Sequence, residues 1–231
     1  MKWKEAASLS AAEEAAKLVK NGDVVGLGTG STAAHVISAI ARRIHREKLS
    51  ILGVPTSYQT QLFAAKQKIP MTSLEENSVL DIAIDGADQI DKSLNLIKGG
   101  GAALTREKIV GSCARRYVIV ADETKLNTKL GLNQSVPVEV LPFGFAPTLK
   151  KLAKFSRFAK VRQAERKAGP VVTDNGNLIV DTYFGTISKP LELDLKIKRI
   201  PGVIESGIFP SMANLALIGL KNASVKRLAR R

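Results

Sequence analysis

The chain has 231 residues, 45% hydrophobic and only 5% aromatic, with a formal net charge of +14. That length suffices for one large or two small domains whose cores need no covalent staples, and Cys113, the only cysteine, excludes an intramolecular disulfide. No run approaches the roughly 20 apolar residues of a membrane span. Met1-Lys2-Trp3-Lys4-Glu5 has no apolar leader core, so a cytoplasmic location without membrane partners is expected.

Residues 10–20 are predicted to be a helix, from the capping-box spacing of Ser10 and Glu13 and the stop at Asn21-Gly22. Residues 24–27 form a short buried strand, followed at once by Gly28-Thr29-Gly30-Ser31-Thr32 and a helix to about residue 47. A second strand at 51–54 ends in Pro55-Thr56-Ser57, and a helix covers 58–68. The strand at 81–84 carries Asp85-Gly86-Ala87-Asp88 at its C-terminal end. Lys98-Gly99-Gly100-Gly101 leads into a helix over 105–115, and a strand at 117–120 ends in Ala121-Asp122-Glu123-Thr124-Lys125. Strands alternating with helices imply right-handed βαβ units and an α/β fold with a parallel, Rossmann-like sheet.

The pattern changes after about residue 130. A strand at 136–140 is followed by a helix at 147–155 and then by two apolar runs, 171–173 and 178–180. These runs flank Asp174-Asn175-Gly176-Asn177, a strong hairpin signal. With a helix at 191–200, this stretch is expected to be a smaller α+β, ferredoxin-like subdomain, inserted before a return strand at 215–220. The expected domains are 1–130 with 208–231, the Rossmann-like catalytic domain, and 131–207, the α+β subdomain, assigned to oligomerisation.

In open α/β sheets, ligands bind beyond the carboxyl ends of the strands, and every unusual polar cluster here is predicted to lie at such an end. The turn Gly28 to Thr32 opens a helix whose free amides suit a phosphate, although a plain cap by Ser31 or Thr32 would use the same residues. Asp85 and Asp88 suit sugar hydroxyls or proton shuttling. A divalent metal is less favoured, because no third ligand is near. Lys98, ahead of three glycines, is placed to meet an oxyanion, although many lysines are simply exposed. Glu107 falls in the first turn of the following helix, where acidic residues are common for dipole reasons alone; its neighbours make it a candidate base. Lys125 can pair with phosphate. His35 and His45 are expected to be structural or surface residues, and with one cysteine they argue against structural zinc. The basic residues are scattered, and the only strong cluster is Lys226-Arg227-Leu228-Ala229-Arg230-Arg231, so nucleic acid is not expected as the primary partner.

Taken in order, these segments resemble the A-type ribose-5-phosphate isomerases, in their archaeal and plant-like form. The resemblance rests on Gly28-Thr29-Gly30-Ser31-Thr32-Ala33-Ala34, Asp85-Gly86-Ala87-Asp88 and the run from Lys98 to Lys108. Val136-Pro137-Val138-Glu139-Val140, Thr173-Asp174-Asn175-Gly176-Asn177, Ile200-Pro201-Gly202-Val203 and Gly207-Ile208-Phe209 extend it over nearly the whole chain. It implies a metal-free, cofactor-free interconversion of D-ribose 5-phosphate and D-ribulose 5-phosphate through an enediolate, in pentose phosphate metabolism. Glu107 would be the general base. Lys98 and the amides of Gly99, Gly100 and Gly101 would stabilise the enediolate. Asp85, Gly86, Ala87 and Asp88 would hold the sugar oxygens, and Thr29, Gly30, Ser31, Thr32 and Lys125 would contact the substrate around its phosphate. The family is usually a homodimer or homotetramer. Gln89 departs from the usual Glu, and Thr124 from the commoner Ser. Ser8 stands where some members place a phosphate-contacting Lys, which makes Lys4 the candidate replacement. Within the same superfamily, an amino-sugar phosphate deaminase would need a catalytic His, and a coenzyme A transferase would need a Glu able to carry an acyl group. A sugar-phosphate sensor would need a helix-turn-helix arm, and none is visible.

Overall fold

The computed structural model describes residues 2–230. Along the chain, helix α1 (Lys2–Ala16) precedes β1 (Val24–Leu27), α2 (Ser31–Glu47), β2 (Leu52–Pro55), α3 (Tyr58–Lys66) and β3 (Ile82–Asp85). Two short strands follow, β4 (Gln89–Ile90) and β5 (Leu96–Ile97), then α4 (Leu104–Cys113) and β6 (Tyr117–Asp122). A single 3-10 turn, Glu123–Lys125, leads to β7 (Val136–Val140), α5 (Phe145–Ala153), β8 (Phe158–Val161), β9 (Leu178–Tyr183) and α6 (Pro190–Lys198). The chain closes with β10 (Val203–Ser206), β11 (Ile208–Phe209), β12 (Leu215–Gly219) and β13 (Val225–Ala229).

The chain forms two compact units. The first comprises the residues up to Ala87, Arg106–Leu126, and those from Met212 onward. It holds a six-stranded sheet in the order β13-β12-β6-β3-β1-β2, parallel throughout except for β13, which runs antiparallel to β12. The central strands β3 and β6 are buried along their whole length, as their continuous apolar runs require of strands covered on both faces. α2 buries Ala33, Val36, Ile37, Ala39, Ile40 and Ala41 on one face, at the three-to-four residue spacing of an amphipathic helix. That face joins Ala11, Ala15 and Val19 near the N-terminus and Leu27, Ile84 and Val120 of the sheet in one core.

The second unit comprises Asp88–Thr105 and Asn127–Ser211. It contains an antiparallel four-stranded sheet, β10-β7-β9-β8, and a small three-stranded one, β11-β5-β4. Its core is built on Val136, Val138, Val140 and Val180, with Leu152 of α5 and Ile197 of α6. The α/β class, the parallel sheet and the separate α+β portion thus appear as expected. The second unit takes in 88–105 as well as 127–211, where the sequence suggested 131–207 alone.

Two local expectations are corrected. The first helix begins at Lys2, not Ser10. The Ser10 hydroxyl donates to the Ala6 carbonyl at 3.0 Å, the back-bond of a mid-helix serine rather than a cap. Residues 171–173 form no strand, and their pairing with β9 shrinks to one bridge, Val172 to Leu178. The Asn-Gly turn itself is present, with the Thr173 amide donating to the Asn177 carbonyl at 2.8 Å.

Candidate active site

In the first unit, the chain passes from β1 to β2 on one side and to β3 on the other, so strand order reverses beside β1. The ends of β1 and β3 are therefore the switch point at which α/β sheets bind ligands. They approach closely because Gly28 has no side chain: a Cβ there would stand 2.6 Å from the Asp85 Cα. The closeness lets the Thr29 amide donate to Asp85 Oδ1 at 3.1 Å, beside the Gly86 amide at 2.7 Å. Asp85 is buried, and its Oδ2 lies 3.5 Å from the Tyr117 hydroxyl.

Tyr117 is fully buried at the start of β6. Burial foremost, then the charges of Asp85 and Glu107, and last the hydrogen bond to Asp85, push its hydroxyl well above the usual tyrosine range. It therefore stays protonated. The charges of Asp85 on β3 and of Glu107 on α4 thus both act on this one buried hydroxyl. Glu107 sits in the first turn of α4 and is only 5% exposed. A first-turn carboxylate serving the helix dipole alone has no need of burial, which costs free energy. Lys108 beside it is also buried.

Thr29 lies at the centre of a hydroxyl cluster. Its Oγ1 is 2.8 Å from Thr56 Oγ1, 2.7 Å from Ser57 Oγ and 3.1 Å from Thr60 Oγ1. Ser57 caps α3 through the Thr60 amide, while the Thr56 and Thr60 hydroxyls donate to the carbonyls of Leu27 and Gly28. The turn after β1 is thereby tied to the end of β2. α2 is capped by neither Ser31 nor Thr32. Its N-cap is Gly30, at φ 105°, with no side-chain bond. A 17-residue helix thus opens with no capping side chain on its first amides, an arrangement suited to an anion. Gly28, Gly30, Ser31, Gln59, Thr60 and Phe63 line a cavity of about 240 Å³ there. At the end of β6, Asp122 accepts from the Thr124 amide at 2.9 Å and the Thr124 hydroxyl at 2.5 Å, holding the 3-10 turn that bears Lys125. Thr124 thus supplies the hydroxyl that the commoner Ser would.

In the second unit, Lys98 continues β5, its amide donating to the Gly207 carbonyl at 2.8 Å. Its side chain is 2% exposed, with Nζ 5.6 Å from the centre of the Phe209 ring. An ordinary surface lysine is excluded, and the aromatic face offsets part of the cost of burying an ammonium. The Asp88 amide donates to Ile97, and Asp88 Oδ2 accepts the Gly100 amide at 2.8 Å. A Cβ at Gly100 would meet Asp88 Oδ1 at 2.8 Å, so a side chain there would press on the Asp88 carboxylate. The Gln89 side chain accepts from the Gly131 amide and donates to the Leu132 carbonyl, both at 2.8 Å. Its neutral amide can do both, which a Glu at this position could not.

Sequence reasoning assigned no role to Thr60, Tyr117 or Glu139. Ser57 and Thr60 do have cap spacing, the one signal available. Glu139, fully buried on β7, accepts from Thr173 (2.8 Å), Asn175 (3.0 Å), Asn177 (2.8 Å) and Thr105 (2.5 Å). Those partners explain the Thr173 to Asn177 run: it wraps a buried carboxylate and ties it to the first turn of α4. His35 is half-buried and His45 exposed on α2, and Cys113 is half-buried. Lys4 lies over Trp3 at 5.9 Å, and Ser8 is buried. Among the described residues, no three His, Cys, Asp or Glu side chains are grouped to hold a metal, and no helix is long and apolar enough to cross a membrane.

The family model for ribose 5-phosphate isomerase A (phosphoriboisomerase A) matches residues 52–223. Ribose-5-phosphate isomerase A of Methanosarcina acetivorans is 51% identical over 94% of this chain and 91% of its own length. The corresponding protein of Thermosynechococcus vestitus is 50% identical over 90% and 89%. The solved structure of ribose 5-phosphate isomerase A from Methanocaldococcus jannaschii superposes with a TM-score of 0.92 at 44% identity, covering 98% of this chain and 99% of the other. A D-ribose-5-phosphate isomerase solved in complex with phospho-erythronic acid gives 0.94 at 43% identity, with the same coverage. With a family model over residues 52–223 and relatives about half identical over nine-tenths of the chain, this chain belongs to the ribose 5-phosphate isomerase A family.

Proposed function

We propose that this protein interconverts D-ribose 5-phosphate and D-ribulose 5-phosphate through an enediolate, with Glu107 as the general base. The observation that carries the assignment is the burial of the Glu107 carboxylate, 5% exposed in the first turn of α4. An aldose–ketose shift moves one proton from C2 to C1 and another between the two oxygens. A single carboxylate on one face of the enediolate can take the carbon proton and return it to the neighbouring carbon. Asp85 and Asp88 hold the sugar hydroxyls and assist ring opening. Lys98 and the Gly99 to Gly101 backbone meet the charge that grows on oxygen, where prepositioned donors matter most. The N-terminus of α2, with Ser31 and Thr32, and Lys125 hold the phosphate.

The reaction so drawn is redox-neutral and needs neither cofactor nor metal. A cytoplasmic homodimer or homotetramer, with the α+β unit in the subunit contact, fits the family pattern. The test is formation of ribulose 5-phosphate from ribose 5-phosphate by the purified protein in EDTA. Turnover that survives the chelator supports side-chain acid–base chemistry. Turnover only after adding a divalent ion rejects the metal-free route, and none under either condition rejects the isomerase reading.

A further inference from the structure

We propose that Arg162 is a positioning residue for this isomerisation: it grips the carbonyls of Gly99 and Gly100 and thereby sets the direction in which the amides of the glycine loop donate. The proposal rests on the isomerase reading above and adds a residue that touches no substrate.

Arg162 lies just past the end of β8. Its own amide donates to the Ile179 carbonyl at 2.8 Å, and its carbonyl accepts from the Val171 amide at 2.9 Å, so its backbone is held on both sides. Its guanidinium is fixed by Asp181 of β9, Nε to Oδ2 at 2.8 Å and Nη2 to Oδ1 at 2.5 Å. Such a two-point fork fixes the plane of the guanidinium as well as its position. The remaining nitrogen, Nη1, donates to Gly99 O and Gly100 O, each at 2.9 Å. The ion pair is only partly exposed, with the arginine side chain at 18% and the aspartate at 30%.

The consequence follows from the planar trans peptide, in which C=O and the next N–H point in opposite directions. With the Gly99 carbonyl turned to Arg162, the Gly100 N–H must face away, and it is found on Asp88 Oδ2 at 2.8 Å. With the Gly100 carbonyl also turned to Arg162, the Gly101 N–H is turned away from the guanidinium too. Consecutive glycines have no side chains to resist a peptide flip, so the loop's own sequence does not choose this orientation. The Gly99–Gly100 peptide is also held by Asp88 on its amide and by the Ala102 amide, which donates to the Gly99 carbonyl at 3.0 Å; the guanidinium joins that hold and extends it to the Gly100 carbonyl. A cation on two carbonyl oxygens also polarises both peptides and makes their amides better donors.

The experiment compares kcat and KM for ribose 5-phosphate in wild type, Arg162→Met, Arg162→Lys and Asp181→Asn, with thermal unfolding recorded for each. In Arg162→Met, kcat falls about 10- to 100-fold, the range that follows from small misplacements of catalytic groups, with KM nearly unchanged. Added guanidinium ion at millimolar concentration restores part of that kcat and leaves the wild type unaffected. Arg162→Lys keeps the charge but not the fork and is intermediate. Asp181→Asn loosens the fork and loses less. A wild-type kcat in Arg162→Met, or a loss wholly in KM, overturns the role. If Arg162→Met does not fold, the other two variants decide, and wild-type kcat in both overturns it. A wild type that does not turn over ribose 5-phosphate overturns the isomerase reading and this role with it, whereas an active wild type with unaffected variants overturns the role alone.

Discussion

The ends of β1 and β3 present side chains held by other side chains, whereas the Lys98 to Gly101 loop presents backbone held by side chains. In the first region the fixed points are Thr29, Thr56, Ser57 and Thr60, whose hydroxyls interlock, and Tyr117, which faces Asp85. In the second, Asp88 takes one glycine amide while Arg162 takes two glycine carbonyls. Side chains suit a group that must move a proton, because their chemistry titrates. Backbone amides suit a group that must only donate, because an amide does not titrate and is displaced only by moving the chain. The first region therefore answers to changes of chemistry, and the second to changes of shape.

That contrast can be broken by substitution, and the largest effect belongs to the titrating group. Glu107→Gln keeps size and removes the base, so kcat should fall about 10²- to 10⁴-fold, the usual yield of general acid–base catalysis, while sugar-phosphate affinity by calorimetry stays near wild type. Normal turnover would reassign the base. Lys98→Ala should lower kcat about 10²- to 10³-fold, as loss of one oxyanion donor does, measured under saturating substrate. Gly100→Ala changes shape alone: its Cβ would stand 2.8 Å from Asp88 Oδ1, so the loop or the Asp88 carboxylate must shift. A drop of about tenfold in kcat is expected from a shift smaller than the one that costs about 100-fold, and an unchanged kcat would show the loop to be tolerant.

The smallest change is Tyr117→Phe, and it sharpens the comparison through pH. The folded state holds Tyr117 neutral above the ordinary tyrosine range. Its contribution to stability is thus complete below the unfolded value, about 10, and is lost as pH rises through the folded value. Urea unfolding between about pH 9 and 11 should show wild-type stability falling more steeply than that of Tyr117→Phe, with a difference below about 1.5 kcal/mol at neutral pH. Parallel slopes would remove Tyr117 from the argument.

Much of this was legible from sequence where short apolar runs ended in unusual polar residues. β1 and β3 are such runs, with Gly28-Thr29 following the one and Asp85 closing the other. The failures have physical causes. In α1, alanines spread around the helix left no apolar stripe to mark its start, and the Ser10-to-Glu13 spacing offered a cap that the chain does not use. Val172 lies in an apolar run but is about half exposed, because its stretch has no ladder beyond one bridge. The first division between the units falls inside Asp85-Gly86-Ala87-Asp88 and the next between Thr105 and Arg106 of α4. Neither place has a linker composition to announce it. Arg162 had no signal, since its value lies in which carbonyls it meets.

Lys226 and Arg227, from the basic run that stood out as a possible patch for nucleic acid, lie on the strand β13 at one end of the six-stranded sheet. A sheet edge presents unpaired backbone groups on which another chain can add a strand, and lysines or arginines placed there repel that addition. Lys226 and Arg227 are exposed on β13, with Arg227 reaching Glu14 of α1 at 3.0 Å. Part of the positive charge of this chain thus lies on a sheet edge, where it disfavours sideways addition of another strand.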